Sequence, residues 1–209
     1  RPWNVSDPEV LELLHQARRE EFVPAAYRSL AFMDIEIPLR GTPEEGVRTG
    51  QCMLAPRVEA RLLNDLQVKK HERVLEIGTG SGYMAALLAQ RAKEVLSLEI
   101  VPELADAARA NLQRAGITNA TVRVADGANA NLPEGPFDVI VLSGSVAEVP
   151  QALLAKLNDG GRLAAIVGLD PIMRMTIVQC HGNRFETTQP WDTSSPRLTG
   201  FAEPSPFKF

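Results

Sequence analysis

The sequence has few of the residues that mark secreted, membrane-spanning or metal-binding proteins. Its 209 residues include two cysteines, Cys52 and Cys180, too few for a disulfide framework, so we expect a reduced, cytoplasmic setting. The three histidines, His15, His71 and His181, lack the spacing of metal ligands, and we expect no bound metal. No apolar run is long enough to cross a bilayer and no signal-peptide pattern occurs, so we expect no membrane association.

The charge balance excludes a further class of partner. The formal net charge is −4 at pH 7, whereas proteins that bind nucleic acid normally carry a basic surface. We therefore expect no nucleic-acid partner. The shares of apolar and charged residues are those of an ordinary soluble globular protein.

From residue 73 onward, short apolar runs alternate with helical patterns. The runs at 73–77, 94–99, 120–125, 137–143 and 162–167 predict strands, and the segments 82–91, 102–115 and 150–157 predict helices. Strands that alternate with helices predict an α/β fold with a doubly wound, mostly parallel sheet. Two further runs, 173–180 and 184–191, are joined by the turn-like His181-Gly182-Asn183 and predict a C-terminal antiparallel hairpin.

The N-terminal part of the chain is less regular. Asp7-Pro8-Glu9 carries the signals of a helix start and Phe22-Val23-Pro24 those of a helix end, so we predict a helix that runs to about Glu21. Residues 30–50 mix proline, glycine and short apolar pieces, which predicts an irregular lobe. Pro56 opens a second predicted helix with one apolar face.

The chain length suits a single domain with a full hydrophobic core. We predict one domain over residues 1–209, with a helical and irregular substrate-side lobe at 1–66 and a Rossmann-like, cofactor-binding core at 67–209. The sequence begins with Arg1 rather than with methionine, so we expect it to start part-way into the natural chain.

The turn after the first strand of the core is the most informative segment, and it reads Glu76-Ile77-Gly78-Thr79-Gly80-Ser81-Gly82-Tyr83. Glycine lets the backbone turn sharply and lets a ligand approach where a Cβ atom would collide. A tight turn from a strand into a helix also presents free N–H groups at the positive end of the helix dipole. In open α/β sheets, this crevice binds nucleotide-like ligands.

The spacing of the glycines narrows the choice of ligand. Dinucleotide-binding loops read Gly-x-Gly-x-x-Gly, whereas this loop reads Gly-x-Gly-x-Gly, which makes a nicotinamide dehydrogenase a distant alternative. No Gly-Lys-Ser/Thr follows, so the loop is not a Walker A phosphate loop. Glu76 would repel a pyrophosphate but could accept a hydrogen bond from an ammonium group. The loop resembles motif I of S-adenosylmethionine-dependent methyltransferases.

Two further acids follow later strands of the core. Glu99, with Ile100 next to it, ends the second strand about 20 residues after the loop, where Rossmann-type folds place a carboxylate on ribose hydroxyls. Asp126-Gly127 follows the third strand and resembles the position with which methyltransferases bind the adenine amino group. All three acids stand at the carboxyl ends of consecutive strands, in the order that a methyltransferase needs.

Other segments extend the resemblance to nearly the whole chain. They are Arg19-Glu20-Glu21-Phe22-Val23-Pro24, Ala31-Phe32-Met33-Asp34, and Gly50-Gln51 ahead of Pro56. With the glycine-rich turn and Asp126-Gly127, they resemble the protein-L-isoaspartate O-methyltransferase family. The resemblance implies an S-adenosylmethionine methyltransferase fold and activity, with S-adenosylhomocysteine as the product. It also implies a protein or peptide substrate whose isoaspartyl carboxyl group is methylated as a step of protein repair.

The resemblance further implies which residues hold the cofactor. They are Glu76, Gly78, Thr79, Gly80, Ser81, Gly82, Tyr83, Glu99, Ile100, Asp126 and Gly127. Within this set, Glu99 is expected on the ribose hydroxyls, Asp126 on the adenine amino group, and the glycine-rich turn around the methionine part.

The loop expected at the methyl acceptor departs from the family's pattern. The family reads Thr-Ile-Ser-x-Pro, whereas this chain reads Cys52-Met53-Leu54-Ala55-Pro56, so Leu54 stands where the family has its substrate-side serine. A carboxylate is already an anion at neutral pH and needs no general base. The exchange is expected to remove a hydrogen bond that orients the carboxylate, worth about 1.5–3 kcal/mol, and to add apolar bulk where the carboxylate would lie. No catalytic residue is assigned, and Cys52, Met53 and Leu54 are candidates for the acceptor site.

Leu54 leaves two alternatives open for the acceptor. One is an O-methyltransferase that acts on another carboxylate or a small molecule, with Leu54 helping to shape an apolar pocket. The other is a cofactor-binding module that has lost catalysis and works through a partner. Under each alternative we expect S-adenosylmethionine binding to be retained.

Overall fold

The computed structural model describes residues 2–204. The helices are α1 (Pro8–Gln16), α2 (Pro43–Thr49), α3 (Pro56–Leu66), α4 (Tyr83–Arg91), α5 (Pro102–Arg114) and α6 (Gln151–Leu154). The strands are β1 (Ile37–Pro38), β2 (Cys52–Met53), β3 (Arg73–Ile77), β4 (Glu94–Glu99), β5 (Ala120–Val124), β6 (Phe137–Val146), β7 (Leu157–Leu169), β8 (Ile172–His181) and β9 (Arg184–Thr193). Short 3₁₀ helices span Pro2–Asn4, Arg19–Glu21 and Ala25–Leu30.

Seven strands form one sheet in the order β5-β4-β3-β6-β7-β8-β9. The first five of these are parallel to one another. The pairs β7–β8 and β8–β9 are antiparallel. The predicted fold class is therefore confirmed: a doubly wound, mostly parallel sheet that ends in an antiparallel hairpin. The ribbon of β1 and β2 lies outside this sheet, with Ile37 opposite Met53.

Helices cover the two faces of the sheet unequally. On one face, α3, α4 and α5 pack over inward-facing residues such as Val74 and Val139, and Val10 of α1 joins the same cluster. On the other face, Leu75 and Ile140 pack against α6 and against the chain that follows β9. Because the first cluster joins the N-terminal lobe to the core, we propose that the two parts unfold as one domain.

The N-terminal helix ends earlier than predicted. α1 ends at Gln16, because Ala17 adopts extended backbone (φ −70°, ψ 120°). The 3₁₀ turn Arg19–Glu21 then follows as a separate element. The prediction of one helix to Glu21 was therefore wrong. The break lets Arg19 turn into the core, where its side chain is 3% exposed.

Residues 43–49, predicted as irregular, form α2. Thr42 and Glu45 make a reciprocal capping box around Pro43, and Gly50 ends the helix in the left-handed region (φ 72°). These are ordinary signals of a helix start and end. The helix was not predicted because it has only seven residues and contains a glycine, so its sequence shows no clear helical pattern.

The elements between residues 137 and 170 also differ from their predicted bounds. β6 continues to Val146, and β7 begins at Leu157 rather than at residue 162. The predicted helix at 150–157 is limited to α6, because Leu157 already pairs with Phe137 in the sheet. In the span 2–204, no helix has the length and apolarity needed to cross a membrane.

Candidate cofactor and acceptor site

A cleft lies at the edge of the sheet where β3, β4, β5 and β6 end. It is lined by Leu39, Thr49, Gly50, Gln51, Cys52, Ile77, Gly78, Gly80, Leu98, Glu99, Ile100, Val101, Leu104, Ala125, Gly127, Ser143, Arg197, Leu198 and Thr199. The turn after β3, residues 78–82, is called the glycine loop below, and residues 51–56 the acceptor loop. Carboxyl ends of parallel strands are where open α/β sheets bind their ligands.

The glycine loop is held against the end of β4. Gly78 and Gly80 line the cleft, with φ angles of 92° and 53° that disfavour a side chain. The N–H groups of Gly78 and Thr79 both donate to the Leu98 carbonyl. The neighbouring strand therefore fixes the loop and leaves its glycine Cα atoms facing the cleft.

Glu99 is the carboxylate that forms part of the cleft wall. Its Oε2 accepts from Gly80 N at 2.8 Å and its Oε1 accepts from Val101 N at 3.1 Å. The side chain is 6% exposed. A carboxylate has about four lone-pair sites, so two remain after these bonds. Glu99 is thus fixed in place and still able to accept hydrogen bonds from two hydroxyl groups.

Glu76 lies behind the cleft rather than in its wall. It has no exposed surface, and its carboxylate accepts from Ser97 Oγ at 2.6 Å and from Ser143 Oγ at 2.7 Å. Ser143 does line the cleft. Burial raises the pKa of Glu76 to about 7, although the two serine hydrogen bonds act in the opposite direction. Glu76 can therefore influence a ligand only through Ser143 or through its charge.

The buried state of Glu76 predicts a pH-dependent stability. In the unfolded chain its pKa is near 4.5, and in the folded protein it is about 7. The folded state therefore binds more protons between these values, and the free energy of unfolding falls as the pH rises through this range. We expect Glu76→Gln to reduce that fall, measured by urea unfolding between about pH 5 and 7. The exposed Glu148→Gln is the control, and an unchanged slope in Glu76→Gln would contradict the assignment.

The other predicted residues of the glycine loop, and Tyr83 after it, make contacts inside the protein. Thr79 Oγ1 contacts Ser97 Oγ at 2.6 Å, and Ser81 Oγ accepts from Tyr83 N at 3.3 Å. Gly82 packs against Ala108 of α5. The Tyr83 ring lies in the core, 4% exposed. None of these four predicted residues is part of the cleft lining.

Ile100, which follows β4, and Gly127, which comes shortly after β5, both line the cleft. A Cβ atom on Gly127 would lie 2.4 Å from Ile77 Cγ2, so only glycine fits there. Asp126 lies beside them but is absent from the lining. Its Oδ1 accepts from Ala128 N at 3.0 Å and its Oδ2 from Asn129 Nδ2 at 2.8 Å. A role for Asp126 with adenine stays a prediction.

Of the three residues predicted at the acceptor site, one lies in the cleft wall. Cys52 lines the cleft, together with Gln51, whereas Met53 and Leu54 are 3% and 4% exposed and belong to the hydrophobic core. The expectation that Leu54 adds apolar bulk beside the acceptor is therefore at odds with the structure. Burial, with a smaller effect of Glu36, raises the pKa of the Cys52 thiol to about 11. A neutral thiol is a poor nucleophile.

Arg19 holds the acceptor loop in place. Its Nη2 donates to the Leu54 carbonyl at 2.8 Å, its Nε donates to the Ala31 carbonyl at 2.8 Å, and its Nη1 pairs with Glu59. The guanidinium also lies 4.9 Å from the centre of the Tyr83 ring. This one side chain connects the acceptor loop, α3 and the first turn of α4.

Sequence reasoning missed the residues that follow β9. Arg197, Leu198 and Thr199 line the cleft opposite the glycine loop, although no motif marks them. Gln51 was predicted only as part of the segment Gly50-Gln51, and Ser143 only as the last residue of the strand at 137–143. Across residues 2–204, no group of three His, Cys, Asp or Glu side chains could hold a metal ion.

Comparison with known proteins identifies the family. The family model described as "Protein-L-isoaspartate(D-aspartate) O-methyltransferase (PCMT)" matches residues 3–189. The chain belongs to this family. A protein-L-isoaspartate O-methyltransferase from Methanoculleus marisnigri is 42% identical over 80% of this chain and 73% of its own length. One from Koribacter versatilis is 35% identical over 90% and 82%. The resemblance given under Sequence analysis is thus confirmed.

Solved structures agree with the family membership. A structure named protein-L-isoaspartate O-methyltransferase superposes with a TM-score of 0.80 at 26% identity, over 95% of this chain and 63% of that one. A Plasmodium falciparum protein assigned to the same activity, in complex with S-adenosyl-L-homocysteine, gives a TM-score of 0.75 at 21% identity, over 93% and 91%. The latter likeness shows the methyltransferase fold.

Proposed function

We propose that the chain is an S-adenosylmethionine-dependent O-methyltransferase that methylates the carboxyl group of L-isoaspartyl residues in damaged proteins and peptides. Family membership supports the activity. The observation that carries the cofactor assignment is the anchored carboxylate of Glu99 in the wall of a glycine-lined cleft. The free thiols of Cys52 and Cys180 support a reducing, cytoplasmic setting.

The positions of the lining residues suggest which part of the cofactor each of them would contact. Glu99 would accept from both ribose hydroxyls, with its orientation set by Gly80 N and Val101 N. Ile100 and Gly127 would flank the adenine. Ser143, supported from behind by Glu76, would receive the amino end of the methionine part. The bound group supplies an electrophilic methyl, and the protein's task is alignment.

An isoaspartyl carboxylate needs no activation by this chain. Its pKa is near 4, so it is already an anion at neutral pH. Holding two reactants in an attacking geometry can supply about 7–11 kcal/mol of the barrier. Among the residues of the cleft, Gln51 and Thr199 are polar side chains on the side of the acceptor loop and of the segment after β9. They can orient the carboxylate without any hydroxyl at position 54.

Leu54→Ser tests this view of the acceptor loop. Because Leu54 is buried in the core, the exchange should lower the free energy of unfolding by about 2–5 kcal/mol. It should bring no gain in methyl transfer to isoaspartyl peptides. Urea unfolding and turnover of the variant are compared with those of Leu169→Ser, an exposed leucine (48%). A gain in turnover would show that residue 54 does face the acceptor.

The activity itself is tested with two isomeric peptides. We expect labelled S-adenosylmethionine to transfer its methyl group to a peptide with an L-isoaspartyl residue and not to the peptide of the same sequence with L-aspartate. Cofactor binding is measured separately by calorimetry. Binding without transfer to the isoaspartyl peptide would refute the proposed acceptor. In that case, transfer to other carboxylates would support the alternative of a different O-methyltransferase, and no transfer at all that of a cofactor-binding module.

A further inference from the structure

Gln51 stands at the start of the acceptor loop, and the protein holds three of its four polar groups. Its backbone N–H donates to Thr49 Oγ1 at 3.4 Å, and its carbonyl accepts from Leu39 N at 2.9 Å. In the side chain, Oε1 accepts from Arg40 Nε at 2.6 Å. Among residues 2–204, the amide nitrogen Nε2 has no hydrogen-bond partner. Because Gln51 lines the cleft, this NH₂ group is what Gln51 can offer to a ligand.

Arg40 determines which end of the Gln51 amide is free. An arginine donates hydrogen bonds and accepts none, so only the amide oxygen can face it and the NH₂ group is turned away. The hydrogen bond from Leu39 N to the Gln51 carbonyl continues the ribbon of β1 and β2, in which Pro38 lies opposite Cys52. The ribbon thus keeps Arg40 beside Gln51, and the amide is oriented before any ligand binds.

Two hydroxyl groups in the cleft wall have no proton left for an anionic ligand. Thr49 Oγ1 donates to the Glu45 carbonyl at 2.7 Å, and Ser143 Oγ donates to the Glu76 carboxylate at 2.7 Å. A hydroxyl has one proton, so both groups can only accept a hydrogen bond from a ligand. An ionised carboxylate also only accepts, and neither hydroxyl can donate to it.

Arg197 and Thr199 are further polar residues of the cleft wall. The Arg197 guanidinium donates from Nη2 to the Gly168 carbonyl at 2.9 Å and pairs through Nε with Glu203. Its Nη1 is buried away from solvent. Thr199 offers one hydroxyl proton, whereas the Gln51 amide offers two N–H groups. Gln51 Nε2 therefore carries the larger number of free donor hydrogens for an anion in the cleft.

We propose that Arg40 is a positioning residue of the acceptor site. It holds the Gln51 amide with the NH₂ group toward the cleft, so that an acceptor carboxylate meets a hydrogen-bond donor in a fixed place. The pair thereby takes over the orienting role that the family resemblance gives to the serine that Leu54 replaces. This role of Arg40 rests on the acceptor given under Proposed function.

Arg40 itself is absent from the cleft lining, and this arrangement suits the reaction. A carboxylate loses its negative charge when it becomes a methyl ester. A guanidinium in direct contact would stabilise the anion more than the transition state, in which this charge is already smaller, and would slow the transfer. The neutral Gln51 amide orients the carboxylate with less of this effect, because the charge of Arg40 stays one side chain away.

Steady-state methyl transfer to the isoaspartyl peptide tests the role of Arg40. In Arg40→Met the Gln51 amide is free to rotate and must be immobilised when the carboxylate binds, so we expect kcat/KM to fall about fivefold. Gln51→Ala removes the donor and should lower kcat/KM at least about tenfold. If Arg40 acts through Gln51, adding Arg40→Met to Gln51→Ala lowers kcat/KM no further. The control is Arg48→Met, which changes an exposed arginine of α2 outside the cleft lining and should match the wild type.

Further measurements separate this role from a general effect on folding. Arg40→Lys keeps a donor for Gln51 Oε1 and should recover most of the activity that Arg40→Met loses. The affinity for S-adenosylhomocysteine, measured by calorimetry, and the midpoint of urea unfolding should be the same for Arg40→Met and the wild type. Wild-type kinetics in Arg40→Met would overturn the proposal. So would losses that multiply in the double variant, because they describe two independent effects.

Failure of the proposed function gives a different result from failure of this role. If the acceptor is wrong, the wild type binds S-adenosylhomocysteine but transfers no methyl group to the isoaspartyl peptide, and the role of Arg40 fails with it. If only the role of Arg40 is wrong, the wild type is active on this peptide and Arg40→Met is equally active.

Discussion

Glu99→Gln is expected to weaken S-adenosylhomocysteine binding about a hundredfold, the equivalent of roughly 2.7 kcal/mol. The glutamine keeps one acceptor oxygen and turns an NH₂ group toward Gly80 N or Val101 N, both of which are donors. One of these backbone groups then loses its partner, and two ribose hydroxyls lose a charged acceptor. Hydrogen bonds to charged groups are worth about 1.5–3 kcal/mol each, so a hundredfold loss is a conservative expectation.

Calorimetric titration of Glu99→Gln with S-adenosylhomocysteine measures this effect. Glu103→Gln is the matched control, since Glu103 is exposed in the first turn of α5 and lies outside the cleft. The control should bind like the wild type. Equal affinities for Glu99→Gln and wild type would remove Glu99 from the ribose site.

Arg19→Met is expected to lower the free energy of unfolding by about 3–5 kcal/mol, the usual effect of removing one partner of a buried ion pair. Arg19 and Glu59 are each 3% exposed. The exchange leaves the Glu59 carboxylate and the Leu54 and Ala31 carbonyls without their donors. Burial already raises the pKa of Glu59 to about 7 against the lowering effect of Arg19. Without the guanidinium, the group should be protonated at neutral pH.

The neighbouring Arg18→Met is the control for this exchange. Arg18 makes only surface ion pairs, with its side chain 70% exposed, and such pairs contribute about 0–1 kcal/mol. The free energies of unfolding of both variants are measured by urea unfolding. Equal decreases in the two variants would refute the proposed stabilising role of Arg19. The same curves test the single-domain proposal, which requires fluorescence and circular dichroism to report one coincident transition.

The positions of the glycine loop and of Glu99 at the ends of β3 and β4 could be predicted from the sequence because the signals there are local. The glycine loop joins two consecutive elements, and Glu99 is placed by the end of the next strand, so spacing along the chain fixes their positions in space. The parallel order of β3, β4 and β5 follows from the same alternation of strands and helices. Tyr83 and Ser81 show the limit of this logic, because a motif gives their position and not the direction of their side chains.

The acceptor side was harder to predict because it is assembled from distant segments. β2 contains only Cys52 and Met53, and Leu54 lies beyond its end, so the alternation of side chains along a strand does not decide which of residues 52 and 54 reaches the cleft. The segment after β9 reaches the cleft through the bridge between Arg197 and Ser145, which lies 52 residues earlier in the chain, and no local pattern encodes such a pairing. The burial of Leu54 depends likewise on Arg19, which lies 35 residues away.

The hydrogen bond between Ser143 and Glu76 determines which charge of ligand group the cleft favours beside Ser143. A hydroxyl has a single proton, and while Glu76 is ionised that proton is committed to the carboxylate. The Ser143 hydroxyl can then only accept hydrogen bonds from a ligand in the cleft. It can accept from an ammonium group, and it has no proton to donate to an anion. Glu76 thereby favours a cationic over an anionic group beside Ser143, although Glu76 itself has no exposed surface.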